Sequence, residues 1–397
     1  MNAAKSKQIM AVLLCLAVAF SMLMMTCSNV CADTDPTVAE PAQNQNNEQD
    51  ATAESQPSDE QEQEQKPVFK NGKITVNTFS ELCEAVQGNK KKTVIIGKDM
   101  TIGSHGIPVG NNTTLIATGR TLKCPEGAIR IPGTKSNYGS FDNVKITGGT
   151  WVSKYDRSLF QFVHGRNLTM NKMKITCGIT GHAIELIACK NVKILNCNVK
   201  GIGKAKKDCL EEQIQIDIAT PRTAPTVANK LRKGQTCTNV TIDHCTVTGA
   251  RAVCANYASA EKKYKSKFHS NIKVTNCKLT GTKSEALALF NALNVTVKKN
   301  TIKTKAPLSR GPYSVGCHIH MFGKVKGVKV KNRKVTIVGN NVYGGREAIL
   351  IYSHSSSKYG RATVKKNKAH CKNGGSNAIK VDGVSSKSVK SNKQSKW

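Results

Sequence analysis

Two short segment types alternate along the chain from residue 159 onward. The first type has four residues with apolar side chains at alternate positions, as in Ala-Ile-Glu-Leu at 183–186. The second type opens on asparagine and closes on cysteine or asparagine, as at 191–197. The first type recurs every 24 to 39 residues from Phe160 to Ile379, and one copy of the second type lies in each interval. Strands in a fixed order at a repeating interval indicate a solenoid, in which each turn of chain stacks on the previous one.

This pattern resembles the right-handed parallel β-helix proteins of the pectate lyase-like superfamily over about residues 67–397. The resemblance implies an all-β fold, a single-stranded right-handed parallel β-helix whose N-terminal end is plugged by a short helix. Thr78 and Glu81 have the spacing of a capping box. We therefore predict an N-terminal cap over 67–92 with a helix whose apolar face is formed by Phe79, Leu82 and Val86. The first coil is expected to open at Thr93.

One position of the second segment type predicts an internal ladder. Along the chain it is occupied by Cys197, Cys245, Cys277, Asn300, Asn340, Asn367 and Asn392. Adjacent coils of a solenoid lie ~4.8 Å apart, so these side chains can satisfy backbone groups of the neighbouring coil at the bends. We expect the 12 cysteines that follow residue 32 to be mostly buried thiols. They lack the CxxC spacing of a metal site, and no metal ligands are predicted.

The N-terminal 66 residues predict export. Residues 1–32 have two lysines, an apolar run over 9–25 and small residues at 30 and 32, as in a secretory signal peptide. Residues 33–66 hold ten acidic residues and one lysine, which predicts a disordered acidic linker before the β-helix domain of 67–397. The mature protein is expected to be secreted and monomeric, with no transmembrane segment after cleavage of the signal peptide.

The charge of the β-helix domain predicts the class of partner. Residues 67–397 hold 57 basic and 16 acidic residues, a net charge of +41. Such a charge favours an acidic polysaccharide or an anionic cell surface as the partner. Nucleic acid is not expected, because the protein is predicted to be exported and has few aromatic side chains for base stacking.

Acidic side chains concentrate on the outward positions of the first segment type. We predict His182, Glu185, Glu212, Asp217 and Arg251 as catalytic residues. Equivalent positions on successive coils are ~5 Å apart, so His182 is expected to touch Glu212, and Glu212 to touch Arg251. A carboxylate beside an imidazole is a plausible pair for general acid–base chemistry. The competing interpretation is a face of salt-bridged charges without chemistry.

The same face supplies candidate substrate-binding residues. They are Gln215, Asn256, Glu285, His318, His320, Glu347, Tyr352, Lys263 and Lys265. The two lysines lie in one of four lysine-rich insertions that follow this strand, at about 219–236, 258–269, 323–333 and 353–360. These insertions are expected to form basic lips over a partly acidic groove. When the copies of the first segment type are aligned, Ile319 is equivalent to Leu287. His320 is therefore expected beside Ala288, in one column of outward side chains that runs from coil to coil.

Two functions follow from these features. The first is a secreted carbohydrate-active enzyme that cleaves an acidic polysaccharide, as a lyase acting by β-elimination in preference to a glycoside hydrolase. The alternative is a non-catalytic cell-surface adhesin that binds polyanionic glycans through its basic face. Gly181-His182 is followed by Ala183, which departs from the Gly-His-Gly of polygalacturonase-like hydrolases. No cofactor is assigned. Binding of Ca²⁺ is left as an open alternative, although no acidic cluster has the pattern of a Ca²⁺ site.

Overall fold

Parallel strands dominate the computed structural model, which describes residues 68–129, 137–154, 156–259, 261–353 and 357–397. The signal peptide and the linker expected at 1–32 and 33–66 lie outside the described residues. In chain order the strands are β1 (Lys73–Val76), β2 (Lys92–Ile96), β3 (Met100–Thr101), β4 (Thr113–Ile116), β5 (Thr121–Lys123), β6 (Lys145–Thr147), β7 (Thr150–Val152), β8 (Phe160–Val163), β9 (Arg166–Asn171), β10 (Lys174–Gly178), β11 (Ile184–Ile187), β12 (Lys190–Leu195), β13 (Asn198–Ile202), β14 (Glu212–Asp217), β15 (Thr238–Asp243), β16 (Thr246–Gly249), β17 (Arg251–Ala255), β18 (His269–Thr275), β19 (Lys278–Gly281), β20 (Leu287–Phe290), β21 (Ala292–Leu293), β22 (Val295–Lys298), β23 (Thr301–Thr304), β24 (Cys317–Met321), β25 (Lys334–Val338), β26 (Asn341–Gly344), β27 (Ile349–Ser353), β28 (Tyr359–Lys365), β29 (Lys368–Cys371), β30 (Ile379–Val381), β31 (Val384–Lys390) and β32 (Lys393–Lys396).

The strands form three parallel sheets that run the length of the solenoid. Sheet A has 13 strands, in the order β1-β2-β4-β6-β9-β12-β15-β18-β22-β25-β28-β31 with β21 beside β18. Sheet B has 11 strands, in the order β3-β5-β7-β10-β13-β16-β19-β23-β26-β29-β32, and sheet C has eight, in the order β8-β11-β14-β17-β20-β24-β27-β30. From β8 onward each coil passes through sheets C, A and B in turn. This arrangement confirms the predicted parallel β-helix.

The core is built from the inward side chains of all three sheets. Ile184 of sheet C, Val192 of sheet A and Val199 of sheet B are each at most 1% exposed and belong to one continuous apolar cluster. Because side chains alternate between the two faces of a strand, alternate residues of strands such as β9, β12 and β15 join this core. Near the N-terminal end the core holds Trp151 edge-on to Phe160, with ring centroids 5.0 Å apart.

The predicted helix is present as α1 (Phe79–Val86). The Thr78 hydroxyl accepts a hydrogen bond from the backbone N–H of Glu81, and the Glu81 carboxylate accepts one from the N–H of Thr78, which completes the capping box. Five short 3-10 helices lie in the connections, at Pro225–Val227, Lys262–Tyr264, Leu308–Ser314, Val330–Asn332 and Gly375–Asn377. None of the helices in the described ranges is long and apolar enough to cross a membrane.

The solenoid begins earlier than the sequence predicts. Strand β1 pairs with β2, so Lys73–Val76 already forms the first rung of sheet A, before the helix. Its short alternating pattern, with Ile74 and Val76 buried, was not recognised as part of a coil. The expected opening of the first coil at Thr93 is therefore wrong by one rung.

The internal ladder of cysteine and asparagine side chains is confirmed. The amide oxygen of Asn340 accepts hydrogen bonds from the backbone N–H and the side-chain amide of Asn300, both at 2.9 Å. Asn340 in turn donates to the carbonyl of Val297 at 3.0 Å and to the amide oxygen of Asn367 at 2.9 Å. The cysteine part of the ladder works more weakly, because each sulfur accepts only one backbone N–H, as Cys245 does from Cys197 at 3.5 Å.

The cysteines are buried, as predicted. All 12 that follow residue 32 are free thiols, and ten of them are buried. Burial raises the pKa of Cys124 and that of Cys317 to about 12. The reactive thiolate is therefore disfavoured at these positions, and the side chains act as small apolar residues of the core.

Candidate functional site

The outer face of sheet C brings the predicted catalytic residues into neighbouring positions. In the strand register Ile184 aligns with Ile214, and Val253 aligns with Leu287. Two residues before these positions lie His182, Glu212, Arg251 and Glu285, in four successive coils. Glu212 and Arg251 are direct register partners. The prediction that these side chains stack along one column is confirmed.

Arg251 forms the centre of this column and is enclosed by carboxylates. Its Nη1 lies 2.8 Å from Oε1 of Glu212, and its Nη2 lies 2.8 Å from Oε2 of Glu285. The side chain of Arg251 is 4% exposed, that of Glu212 is 5% exposed and that of Glu285 is 1% exposed. Buried charges are tolerated only when each has a partner of opposite charge. Here the two carboxylates share the one guanidinium of Arg251.

Two histidines extend the column at the Glu285 end. Nδ1 of His318 lies 3.2 Å from Oε1 of Glu285, and Nε2 of His318 lies 3.3 Å from Nδ1 of His320. Burial alone would raise the pKa of Glu285, but the charge of Arg251 and the hydrogen bond from His318 hold that pKa well below its usual range. The network therefore favours the ionised form of Glu285, which makes this carboxyl group poorly suited to proton transfer.

His182 closes the other end of the column. Its Nδ1 donates to the backbone carbonyl of Glu212 at 2.7 Å, and its Nε2 lies 3.4 Å from the carboxylate of Glu211. Burial alone would lower the pKa of His182, but the negative charges of Glu185, Glu212 and Glu211 outweigh it and raise that pKa to about 8. The exposed Glu211 was not among the predicted site residues, although it precedes Glu212 directly.

The donor atoms of His182, Glu211 and Glu212 lie within 4.8 Å of one another, which is the spacing of a metal site. Glu212 is already bound to the guanidinium of Arg251 at 2.8 Å. A metal ion in this place would lie close to a permanent cation, which disfavours it. The donor set therefore fits the ion-pair column better than a metal centre.

A second group of polar side chains lies beside the column. Oε2 of Glu185 accepts hydrogen bonds from the Ser158 hydroxyl at 2.5 Å and from the Gln161 amide at 2.7 Å. Burial, and then the charges of Glu185 and Glu212, raise the pKa of Asp217 well above its usual value. Gln215 donates to Glu212 at 3.2 Å and thus links the two groups. These neighbouring side chains are called the polar knot below: His182, Glu185, Glu212, Gln215, Asp217 and Arg251.

The register of sheet C departs from the prediction at β24 alone, since Cys317 pairs with both Leu287 and Ile349. Leu287 pairs with Cys317, and Ala288 pairs with His318. The expected equivalence of Leu287 with Ile319 is therefore wrong by two residues, and it is His318 that follows Ala288 in the outward column. His320 instead aligns with Phe290 and with Tyr352.

This register assembles an aromatic cluster that the sequence analysis did not predict. The ring of Phe322 stacks on that of Tyr257 at 4.0 Å between centroids and on that of His320 at 3.8 Å. Phe290 packs edge-on against Tyr257 at 6.0 Å, and Tyr352 packs edge-on against His320 at 4.9 Å. All but Phe290 are half-buried, so part of the cluster faces solvent. The signal in the sequence was an aromatic or histidine residue at the same outward position of β20, β24 and β27.

Of the remaining predicted site residues, Asn256 reaches Arg251 through Cys254, whose thiol donates to the Asn256 side chain at 3.1 Å and whose sulfur accepts from Arg251 at 3.7 Å. The others lie outside the polar knot. Glu347 is buried and pairs with its neighbour Arg346 at 2.6 Å. Asn256 accepts a hydrogen bond from the imidazole of His269 through its backbone carbonyl. Lys263 is exposed with its ammonium group 5.0 Å from the ring of Tyr264, and the backbone carbonyl of Lys265 accepts from Asn291.

Described residues of the second, third and fourth insertions are joined to one another by hydrogen bonds. The second and third insertions are joined by Asn291, which binds the carbonyl of Lys265 and the backbone N–H of Phe322. The third and fourth are joined by the Ser357 hydroxyl, which accepts from the N–H of Val325 at 2.9 Å. The exposed side chains of the insertions include Arg222, Lys230, Arg232, Lys233, Lys262, Lys263, Lys267, Lys324, Lys326, Lys329 and Lys331.

Comparisons with known proteins concern the fold. No family model and no curated protein sequence matches the chain. A crystal structure of PfbA, a surface adhesin of Streptococcus pneumoniae, matches with a TM-score of 0.50 and 16% identity over 74% of this chain and 75% of that chain. A second structure of the same adhesin gives a TM-score of 0.47 and 17% identity over 79% of this chain and 81% of that chain. The chain is thus similar in architecture to a pneumococcal surface adhesin.

Proposed function

We propose that this chain is an exported cell-surface protein that binds acidic polysaccharides without cleaving them. The observation that carries the proposal is the separation of its charges. Of the 57 basic side chains in residues 67–397, 55 lie in the described ranges, and only Lys92 and Arg251 of these are buried. Of the 16 acidic side chains, five are buried on the outer face of sheet C or at its edge. The surface that a partner meets is therefore more basic than the composition suggests.

The state of the polar knot supports binding over catalysis. Glu212 and Glu285 neutralise Arg251, and neither side chain is more than 5% exposed. A catalytic carboxylate has to reach the substrate within hydrogen-bonding distance. The acids of this column are instead enclosed beneath the protein surface, where they hold the coils of sheet C together.

The similarity to PfbA and the N-terminal sequence agree with this proposal. PfbA is a surface adhesin with the same architecture. We assign residues 1–32 as a signal peptide, 33–66 as a linker and 67–397 as the binding domain, with a cap over 67–92. A linker of this composition would let the basic domain extend from an attachment point.

One observation favours a second function, cleavage of the same class of polymer. Asp217 is buried beside Glu185 and Glu212, and its pKa is raised. A carboxyl group that keeps its proton next to an ionised carboxylate is the arrangement used in glycoside hydrolysis. A lyase of the pectate lyase-like type would instead need a cation and a base at the uronate, for which Arg251 is already occupied.

The test is to mix residues 67–397 with a panel of acidic polysaccharides and to record binding, absorbance near 235 nm and reducing ends. The proposal expects salt-sensitive binding with no product in either assay, and equal binding by the Asp217→Asn variant. Product that is lost in Asp217→Asn and Glu185→Gln would establish the enzyme. New absorbance near 235 nm would identify a lyase, and reducing ends alone would identify a hydrolase.

A further inference from the structure

A row of exposed or half-buried asparagines runs along the outer face of sheet A, on the side where the chain enters each strand. The row contains Asn143, Asn167, Asn191, Asn239 and Asn271. Each has a backbone φ between 55° and 57°, a left-handed conformation that asparagine tolerates better than most residues. The turn from sheet C into sheet A therefore explains why asparagine occupies this position in successive coils.

The side chains of this row are joined to one another. Asn191 donates to the amide oxygen of Asn167 at 3.0 Å, Asn239 donates to Asn191 at 2.9 Å, and Asn271 donates to Asn239 at 2.8 Å. A side-chain amide has two donor and two acceptor positions. Asn191 and Asn239 each use one donor and one acceptor within the row, which leaves one donor and one acceptor on each of these two side chains for a ligand.

A second column runs parallel to the row, two residues further along each strand. In register order it reads Lys145, Thr169, Lys193, Thr241, Lys273, Thr296 and Thr336. The three lysines are exposed and occupy every second coil. Because coils are ~4.8 Å apart, these ammonium groups recur at about 10 Å. The two nearest acids are already engaged, Asp142 with Arg166 and Asp243 with Thr275 and Asn276.

A shallow groove separates the row from the column. One stretch of it, of about 400 Å³, lies between Asn167 and Thr241. A second stretch, of about 270 Å³, continues along the same two lines of residues between Asn294 and Thr336. The row, the column and the groove together are called the track below.

We propose that the track is the binding site for a linear acidic polysaccharide that lies parallel to the solenoid axis and carries one negative charge on every second sugar. One sugar residue advances an extended glycan by about the length of one coil, so hydroxyl groups meet the amide of each coil. A carboxylate or sulfate on alternate sugars meets Lys145, Lys193 and Lys273. This proposal rests on the proposed function and names its site and ligand class.

The chemistry of the track favours a glycan over nucleic acid. Sugar hydroxyls both donate and accept hydrogen bonds, as do the free positions of the asparagine row. The row and the column consist of asparagine, threonine and lysine, whereas binding of single-stranded nucleic acid relies on aromatic side chains that stack on bases.

The test compares two double variants that remove the same charge from exposed positions. The track variant is Lys193→Ala with Lys273→Ala, and the matched control on the exposed face of sheet B is Lys200→Ala with Lys278→Ala. The probe is a hyaluronan octasaccharide, which has one carboxylate in every two sugars, and its affinity for residues 67–397 is measured by calorimetry. Urea unfolding curves establish that both variants are folded.

The proposal expects at least a tenfold loss of affinity in the track variant and less than a twofold loss in the control. A further variant, Asn239→Gln, should weaken binding with no change of charge. Equal losses in the two double variants would overturn the track and leave the proposed function standing, since binding would then depend on charge in general. Native protein that binds no acidic polysaccharide would overturn both. A single-stranded DNA of equal charge that competes as well as the octasaccharide would refute the glycan assignment.

Discussion

Replacement of Arg251 by methionine should destabilise the solenoid strongly, because it would leave two buried carboxylates without their cation. The guanidinium contacts Glu212 and Glu285 at 2.8 Å each, and its side chain is 4% exposed. Removing one partner from a buried ion pair costs about 3–5 kcal/mol, and here a single change strands two anions. We therefore expect the free energy of unfolding at pH 7 to fall by at least about 4 kcal/mol.

The assay is urea unfolding followed by far-UV circular dichroism at pH 7 and at pH 4. In the native protein the pKa of Glu285 is lowered, so its stabilising contribution is present above the unfolded-state pKa and is lost as the pH falls. In the variant, burial without the cation raises the carboxyl pKa values, so the variant gains stability as the pH falls. The difference in the free energy of unfolding between the native protein and the variant should therefore be smaller at pH 4 than at pH 7.

A matched triple variant distinguishes the loss of stability caused by unpaired charge from the loss caused by poorer packing. Arg251→Met combined with Glu212→Gln and Glu285→Gln removes the stranded anions together with the cation, and it should recover most of the lost stability. The reasoning is refuted if, at pH 7, Arg251→Met has the same midpoint of urea unfolding as the native protein. It is also refuted if the single and triple variants are equally destabilised at both pH values, since the loss would then come from packing.

Three further predictions follow from the same structure. Asn340→Ala removes four hydrogen bonds of the internal ladder and should lower the free energy of unfolding by about 3 kcal/mol. The outward Thr336→Ala should change it by less than about 0.5 kcal/mol, and equal effects would contradict the ladder. His182 should titrate in NMR spectra with a midpoint of about 8, and its contribution to stability should be lost as the pH rises through that value. Glu211→Gln should lower the midpoint, and an unchanged midpoint would contradict the charge argument. Native residues 67–397 should react slowly with a thiol reagent, whereas the 12 cysteines should react in guanidinium, and recovery of fewer than half would show that they are oxidised.

Much of the fold could be predicted because its signals are local. Alternation of apolar residues with a period of two marks inward positions, as in β11, and the capping box of Thr78 and Glu81 marks the start of α1. The cysteine and asparagine positions at the bends recur beside the same strands, and that regularity predicted the internal ladder.

The error in register has a physical reason. Aligning Leu287 with Ile319 instead of Cys317 shifts the strand by two residues, and such a shift leaves every side chain on its correct face. The hydrophobic pattern therefore cannot distinguish the two alignments, and the connection of 26 residues between β20 and β24 does not fix one either. The true register places His320, and not Phe322, between Phe290 and Tyr352, and Phe322 stacks on His320 from the following turn.

The sequence predicted which side chains of the site are neighbours, but it did not predict that they are buried and joined as ion pairs. Sequence reasoning placed Glu212 beside Arg251, since both precede equivalent residues of neighbouring strands. It could not show that Glu285 completes the pair on the other side, or that all three side chains are buried. Burial converts a row of candidate acids into a set of ion pairs, and the ring of Phe290, whose centroid lies 5.7 Å from the guanidinium carbon of Arg251, is part of the cover.

The central claim is that exposed lysines of the solenoid bind acidic polysaccharide. The most direct test is calorimetric titration of residues 67–397 with hyaluronan at 50 mM and at 1 M NaCl. Because the screening length shortens to about 3 Å at 1 M salt, we predict binding at the low concentration and its near-complete loss at the high one. Absence of binding at 50 mM NaCl, or an affinity that does not change with salt, would contradict the account.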